Sequence, residues 1–327
     1  MQIGLDIGYS HTKAVSGERR VIFPSVVGTP ERPRFSVGEA NQAIVLHTPL
    51  GRVQVGEGAV LHSRFLFQRE DREWVTSEVY HALALAAFSE LTAGTKVKVS
   101  VVTGLPLAFF EDRGAVRNWL LGIHKINREG RVGQVIEVAS CHVIPQPFGA
   151  ILAETLDVRG KIVNQDLATG TVGLIDIGGK TTNLLAVHKL SEIARETGSV
   201  AVGALDAVKA FQDFVNHHYP GLDLRPHQII SAIVNRTIRY YGRQVDLSRV
   251  VEDILEPLAA QVLAEATRLW GNGAKLDAIL IAGGGGLLLG NYIRKHFRHA
   301  RLVSDPVFAN AIGFYKFAVR VSGNTEH

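Results

Sequence analysis

The chain carries one device twice. Met1 to Val15 reads MQIGLDIGYSHTKAV and Gly173 to Val187 reads GLIDIGGKTTNLLAV; a shift of 170 positions lays Asp6 on Asp176, Ile7 on Ile177 and Gly8 on Gly178. Each copy is an apolar run that ends in a carboxylate and a glycine turn, then sets off as a second apolar run, the signature of strand, turn and strand. An internal echo of this kind predicts two related halves built on the same element. At 327 residues, two domains are also the natural division by size.

The order of the remaining segments supports that division. Residues up to about 75 alternate as short β-hairpins with glycine punctuation, among them RFSVGE and VQVGEGAV. TSEVYHALALAAFSEL (76–91) predicts a helix with Thr76 and Ser77 as cap candidates, KVKVSVVTGLP a strand, 109–123 a helix, and QVIEVASCHVI a strand that breaks at Pro145-Gln146-Pro147 into the helix FGAILAETL. After the second copy of the device, helices are expected at 203–217, 226–241 and 249–270. LDAILIAGGGGLLLG then gives a buried strand whose glycines open a helix running to about His299, and a last amphipathic helix closes the chain. Strands alternating with helices mean an α/β chain, and the early hairpins make its sheets mixed. The domain boundary is expected at the proline break after 145.

Composition narrows the function classes. Net charge of +4 is mild and no block of like charges appears, so direct nucleic-acid binding is not expected. The single cysteine, Cys141, rules out an intramolecular disulfide and a multi-cysteine zinc site and fits a cytoplasmic location. The chain starts directly in a strand pattern and its apolar runs are too short to span a bilayer, so neither export nor membrane association is expected. The thirteen histidines are scattered without acidic companions at ligand spacing, and the basic stretch NYIRKHFRHARL reads as a helix end whose cations suit the dipole, or as a contact surface. Trp74, Trp119 and Trp270 read as core packing.

The two turns carry the chemistry. A carboxylate at a strand end followed by glycine lets backbone N–H groups approach phosphate oxygens with no Cβ in the way, and leaves the acid facing an associated Mg2+. Asp6 with Gly8, and Asp176 with Gly178 and Gly179, supply this twice; the hydroxyls of Ser10, Thr12, Thr181 and Thr182 can add phosphate contacts, and Lys13 is a point charge suited to a β- or γ-phosphate. Either turn alone is more often a plain turn. Gly283, Gly284, Gly285 and Gly286 add a third strand-to-glycine-to-helix junction, where backbone approaches either a flat or anionic ligand or a neighbouring strand. Three such junctions in this order point to a nucleotide.

The sequence of Asp6-Ile-Gly through Lys13, Pro145-Gln146, Asp176-Ile-Gly-Gly through Thr181, and IAGGGG resembles the actin, heat-shock chaperone and sugar kinase superfamily over nearly the whole chain. More narrowly, FPS (23–25), VGEGA (55–59), TGLPL (103–107) and DPVFANAIGFYKF (305–317) resemble the ParM/StbA group of bacterial actin-like plasmid-segregation proteins and their archaeal relatives. The resemblance implies an actin-like, ribonuclease H-like α/β fold: two domains with mixed five-stranded sheets around an ATP cleft. Residues 1–145 with 305–327 would form the first, carrying a small subdomain at about 30–75; residues 146–304 would form the second, with a small subdomain at about 205–265. It assigns both whole turns to the cofactor, including Tyr9 and Lys180, lays adenine against the Gly283–Gly286 run and puts the ribose near Gly203.

What the resemblance implies for mechanism is that Asp6 and Asp176 hold Mg2+ mostly through its waters while Gln146 orients the attacking water. Some ParM-type proteins carry Glu where this chain has Gln146, whereas actin carries Gln, which leaves the degree of general-base help open. The expected activity is an ATPase that binds ATP or ADP, with GTP as the alternative, assembles with itself head to tail into filaments, and segregates plasmid DNA through a DNA-bound adaptor protein. The main alternative is a small-molecule kinase of the same superfamily, for which no catalytic Asp stands out. A chaperone-type ATPase would need a peptide-binding domain after the last helix.

Overall fold

The computed structural model describes residues 1–31, 43–67 and 72–323. Two compact units emerge: Met1–Asn164 with Phe308–His327, and Gln165–Val307. The helix that follows the proline break, Phe148–Thr155, stays with the first unit because it packs against the returning last helix, Ala309–Gly323.

In the first unit six strands lie in the order Arg19–Pro24, His11–Ser16, Gln2–Ile7, Lys96–Leu105, Gln134–Pro145, Gly122–Ile126. The middle three run parallel and the outer pairings are antiparallel, so the sheet is mixed. Six strands stand where five were expected. Gln134–Pro145 is twelve residues long, and its first five residues take Gly122–Ile126 as an edge partner. The segment 109–123, expected as one helix, divides into a 3-10 turn at Leu107–Asp112, the helix Arg113–Leu120 and that edge strand. Gly122, at φ 109°, makes the break, since only glycine enters that region freely.

The helix Glu78–Leu91, capped by Ser77 Oγ accepting from Tyr80 N at 3.2 Å, is buried along most of its length. Its run of Ala82, Ala84, Ala86 and Ala87 presents no bulk, which lets it contact both the large sheet and a small four-stranded sheet ordered Ile44–Thr48, Gly51–Val55, Val27–Gly28, Leu66–Phe67. VQVGEGAV contributes a strand to that sheet and then the helix Glu57–His62; RFSVGE lies outside the described residues.

The second unit repeats the plan. Thr171–Ile177 pairs antiparallel with Thr182–His188 and parallel with Ala278–Ala282, which pairs parallel with Ala300–Leu302; Ser191–Glu192 and Gly198–Val200 flank Thr182–His188. The helix expected at 226–241 is shorter, Pro226–Asn235, because Arg236 turns left-handed at φ 57° and ends it. The hairpin Thr237–Tyr240 with Arg243–Asp246 follows, turned by Tyr241 and Gly242 at positive φ. Thr237, Ile238 and Val245 are β-branched residues that suit strands, a signal that the apolar spacing of 226–235 masks in sequence. No helix among the described residues is long and apolar enough to cross a membrane.

The last helix meets the first unit through glycine. A methyl at Gly313 would overlap the Gly149 carbonyl oxygen, and one at Gly4 would overlap the Ala311 carbonyl oxygen and the Tyr315 amide. Gly313→Ala and Gly149→Ala are each expected to destabilise the chain by about 1 to 3 kcal/mol, the range for overpacking a filled contact. Gly114→Ala, in open space on the exposed helix Arg113–Leu120, is expected to be neutral or slightly stabilising. Urea unfolding of the three variants checks the contrast.

Candidate site at the paired strand turns

The sequence echo is an echo of backbone. In the first unit Gly8 N donates to His11 O at 3.1 Å, and the strands beyond pair Ile7 with Thr12 and Asp6 with Lys13. In the second, Gly178 N donates to Thr181 O at 2.9 Å, with Ile177 opposite Thr182 and Asp176 opposite Asn183. The same 170-residue shift relates every one of these partners. Both acids sit one residue before the turn-ward end of a central strand, and both are buried, Asp6 at 1% exposure and Asp176 at 5%. A buried carboxylate is stable only with partners that offset its charge, so such a position is a candidate for cation chemistry.

Asp6 has two partners within its own unit. Its Oδ2 takes Lys13 Nζ at 3.2 Å, directly across the antiparallel pair, and its Oδ1 accepts from Gln146 Nε2. Because a carboxylate only accepts, this fixes the Gln146 amide with its nitrogen toward Asp6 and leaves its carbonyl oxygen as an acceptor. Gln146 is brought there by the end of Gln134–Pro145: its N–H donates to Leu105 O at 2.8 Å, and Gly104 next door has no room for a side chain against Gln146 Cα. A strand end 140 residues away thus delivers its side chain to the first turn.

The hydroxyls divide into two groups. Thr12 and Thr182, both fully buried, are used inside the fold: Thr12 Oγ1 pairs with Ser25 Oγ at 2.9 Å, and Thr182 Oγ1 donates to Val202 O at 2.7 Å. Ser10 and Thr181 stay at the turns, Ser10 Oγ 2.8 Å from His11 Nδ1 and Thr181 exposed. His11 joins the first turn without having been singled out in the sequence. Burial, and next the Lys13 charge, lower its pKa, so its ring is neutral at neutral pH. Tyr9 stacks on Trp74 with ring centroids 5.6 Å apart, and Trp74 meets Tyr80 edge-on at 5.8 Å. Trp74 is core, as expected, and it also ties the tip of the first turn to the segment leading into the helix Glu78–Leu91.

In the second unit a helix start closes over the turn. Ala204 N and Leu205 N, the first amides of the helix Ala204–His218, donate to Gly178 O and Gly179 O at 2.9 Å each, while Asp206 Oδ2 accepts from Gly203 N at 2.8 Å. Gly203 is required by this approach, since a Cβ there would overlap the Gly179 carbonyl. Gly179 and Lys180 form the turn itself.

The glycine run from 283 to 286 resolves into different jobs. Gly283, at φ 80°, would bring a Cβ onto Ile177 O and within 2.7 Å of Asp176 Oδ1; Gly285 would clash with the Ile177 side chain, and its N–H donates to Ile177 O at 3.0 Å. Gly286 abuts Ile281 and Leu302. These three serve the close packing of the junction on the strand that carries Asp176. Gly284 alone faces open space. It is the position where absence of a side chain is unexplained by the fold and a flat ligand could approach.

The residues present fit a magnesium nucleotide. Hard carboxylate oxygens suit Mg2+, and because both Asp6 oxygens are already hydrogen-bonded, Asp6 would reach the metal through its waters. Lys13 and the amides of the first turn would meet phosphate oxygens.

Residues 4–149 match the family model described as actin-like proteins, N-terminal domain, and residues 174–295 match that of the archaeal actin homologue MreB-like, C-terminal domain. No curated protein matches the chain. Among solved structures, an archaeal actin homologue shares 23% identity at a TM-score of 0.79 over 98% of this chain and 99% of that one. The same homologue in complex with ADP aligns at 0.76 with 21% identity over the same shares of the two chains. A ParM from Clostridium botulinum, solved as a 15-stranded filament, shares 24% identity at 0.77 over 97% of this chain and 98% of that one.

The packing analysis predicts a sharp difference between neighbours. Gly283→Ala and Gly285→Ala should lower the thermal midpoint by several degrees through strain and overlap with Ile177, while Gly284→Ala should leave it unchanged. Thermal unfolding by circular dichroism checks this; equal midpoints for all three would overturn the division of roles.

Proposed function

Since the chain belongs to the actin-like proteins, we propose that it is an ATP hydrolase that polymerises head to tail in a nucleotide-dependent way and serves DNA segregation. The observation that supports the catalytic part is the Gln146 to Asp6 hydrogen bond, which uses the amide nitrogen and leaves the neutral carbonyl oxygen as an acceptor beside the first turn. The self-assembly part is supported by the filament structure of the similar ParM, and the nucleotide part by the ADP complex of the similar archaeal homologue.

Bound Mg2+ would polarise the phosphates and neutralise charge that develops on them. The chain's own groups do the rest. Lys13 shifts its ammonium from Asp6 toward the phosphate oxygens, and the amides of the turn after Asp6 offer fixed dipoles to the same oxygens. Gln146 accepts a hydrogen bond from a water and orients it; as an amide it does not take the proton, so positioning is its whole contribution. A head-to-tail contact that does not close propagates, so a filament is the geometric default for such an interface. Loss of the terminal phosphate removes a ligand from the first turn, which would bias the chain toward a state that leaves the polymer. A DNA-bound adaptor would connect filament ends to cargo, in keeping with a mild net charge that offers no direct DNA-binding tract.

With Mg·ATP at micromolar protein, light scattering should rise and then decay as ATP is consumed, with filaments visible by electron microscopy at the maximum. Gln146→Ala should slow hydrolysis by about ten- to a hundredfold while nucleotide affinity holds, and its filaments should persist longer. Undiminished hydrolysis in that variant removes Gln146 from the mechanism; flat scattering during ATP turnover removes the polymer.

A further inference from the structure

A groove of about 450 Å3 opens within the second unit, alongside the helix Gly286–His296, and is lined on its charged side by Arg236, Arg294, Lys295 and Arg298, with Glu252 as the one carboxylate. The basic stretch that sequence alone reads as a helix end is therefore one wall of a cavity. The helix dipole accounts for cations in the last turn of that helix. It does not account for Arg236, which comes from a separate element at the end of Pro226–Asn235.

Arg236 is held in place deliberately. Its φ of 57° is a left-handed conformation that side chains other than glycine, Asn and Asp adopt at a cost of about 1 to 2 kcal/mol. Its carbonyl accepts from Leu247 N at 2.7 Å and its Nη1 donates to Glu252 Oε1 at 3.0 Å. Glu252 is thereby committed to Arg236. Arg294, Lys295 and Arg298 make no ion pair among the described residues; Arg294 and Lys295 stand in the last turn of the helix and Arg298 just beyond its end. Lys295 Nζ lies 5.6 Å from the centre of the Tyr292 ring, so that aromatic face is covered by a cation instead of being open to a base. Asn291 adds an amide donor to the wall.

We propose that this groove is a second ligand site that binds a compact polyphosphate, either inorganic or carried as the tail of a nucleotide, separately from the strand turns. Three guanidinium groups suit the bidentate geometry of phosphate oxygens, and the cavity volume falls within the range of small-molecule sites. A net excess of three positive charges in that volume matches a multiply charged phosphate better than single carboxylates of a peptide. Nucleic acid would want open aromatic faces and a continuing basic track.

Isothermal titration of the full chain with inorganic tripolyphosphate at low salt tests the site. Wild type should bind, and the Arg294→Ser/Arg298→Ser variant should bind at least tenfold more weakly, with affinity in wild type falling as salt is raised. Arg298→Gln alone, a milder change, should weaken binding severalfold and guards against misfolding of the double variant. In the Lys13→Ala chain, whose first turn is disabled, binding of tripolyphosphate should remain and the added Arg294→Ser/Arg298→Ser change should still weaken it at least tenfold. ATP displacing tripolyphosphate from the Lys13→Ala chain would identify a nucleotide tail as the source, and failure to displace it an inorganic phosphate. No binding by wild type, unchanged affinity in the arginine variants, loss of binding in Lys13→Ala, or displacement by a hexaglutamate peptide more readily than by ATP would each overturn the proposal.

Discussion

Everything at the candidate site depends on burying a carboxylate at the end of a central strand beside a turn that has no side chain in the way. Asp6 and Asp176 are held there by the antiparallel pairing of two adjacent strands and by one hydrogen bond across each turn, Gly8 to His11 and Gly178 to Thr181. A charge buried this deep needs neighbours of opposite sign or good donors. In the first unit these include Lys13, opposite Asp6 on the neighbouring strand, and Gln146; in the second the residue opposite Asp176 is Asn183, so the copies share a backbone and differ in the residue paired across it.

Around each acid the fold spends its glycines on proximity. Gly203 admits the start of the helix Ala204–His218 onto the second turn, Gly283 and Gly285 admit the next helix onto Ile177, and Gly104 admits Gln146. The side chains that reach each turn are therefore carried by several rigid elements converging on one strand end, which is the arrangement that holds a site to small tolerances. The stack of Tyr9 on Trp74 extends this outward: the tip of the first turn touches the segment that joins the small sheet to the helix Glu78–Leu91.

Much of this was legible in the sequence because the relevant signals are local. The echo of Asp-Ile-Gly predicts both turns, and apolar runs ended by glycine predict the central strands. The legible part ends where a residue's role depends on a distant partner. Thr12 and Thr182 read as phosphate ligands by position, yet their hydroxyls are taken up by Ser25 and Val202. The four consecutive glycines look equivalent in sequence, and only the nearness of Ile177 separates Gly284 from the rest. His11 and Trp74 carry no motif at all. Arg236 was hidden within an apolar helical pattern, and its left-handed backbone is fixed by the hairpin that follows it.

A structure of the chain determined with Mg2+ and a non-hydrolysable ATP analogue bears on the central claim most directly. The account predicts phosphates against the amides of residues 8–13 and metal-bound waters on Asp6. Ligand density that avoids the first acidic turn would contradict it.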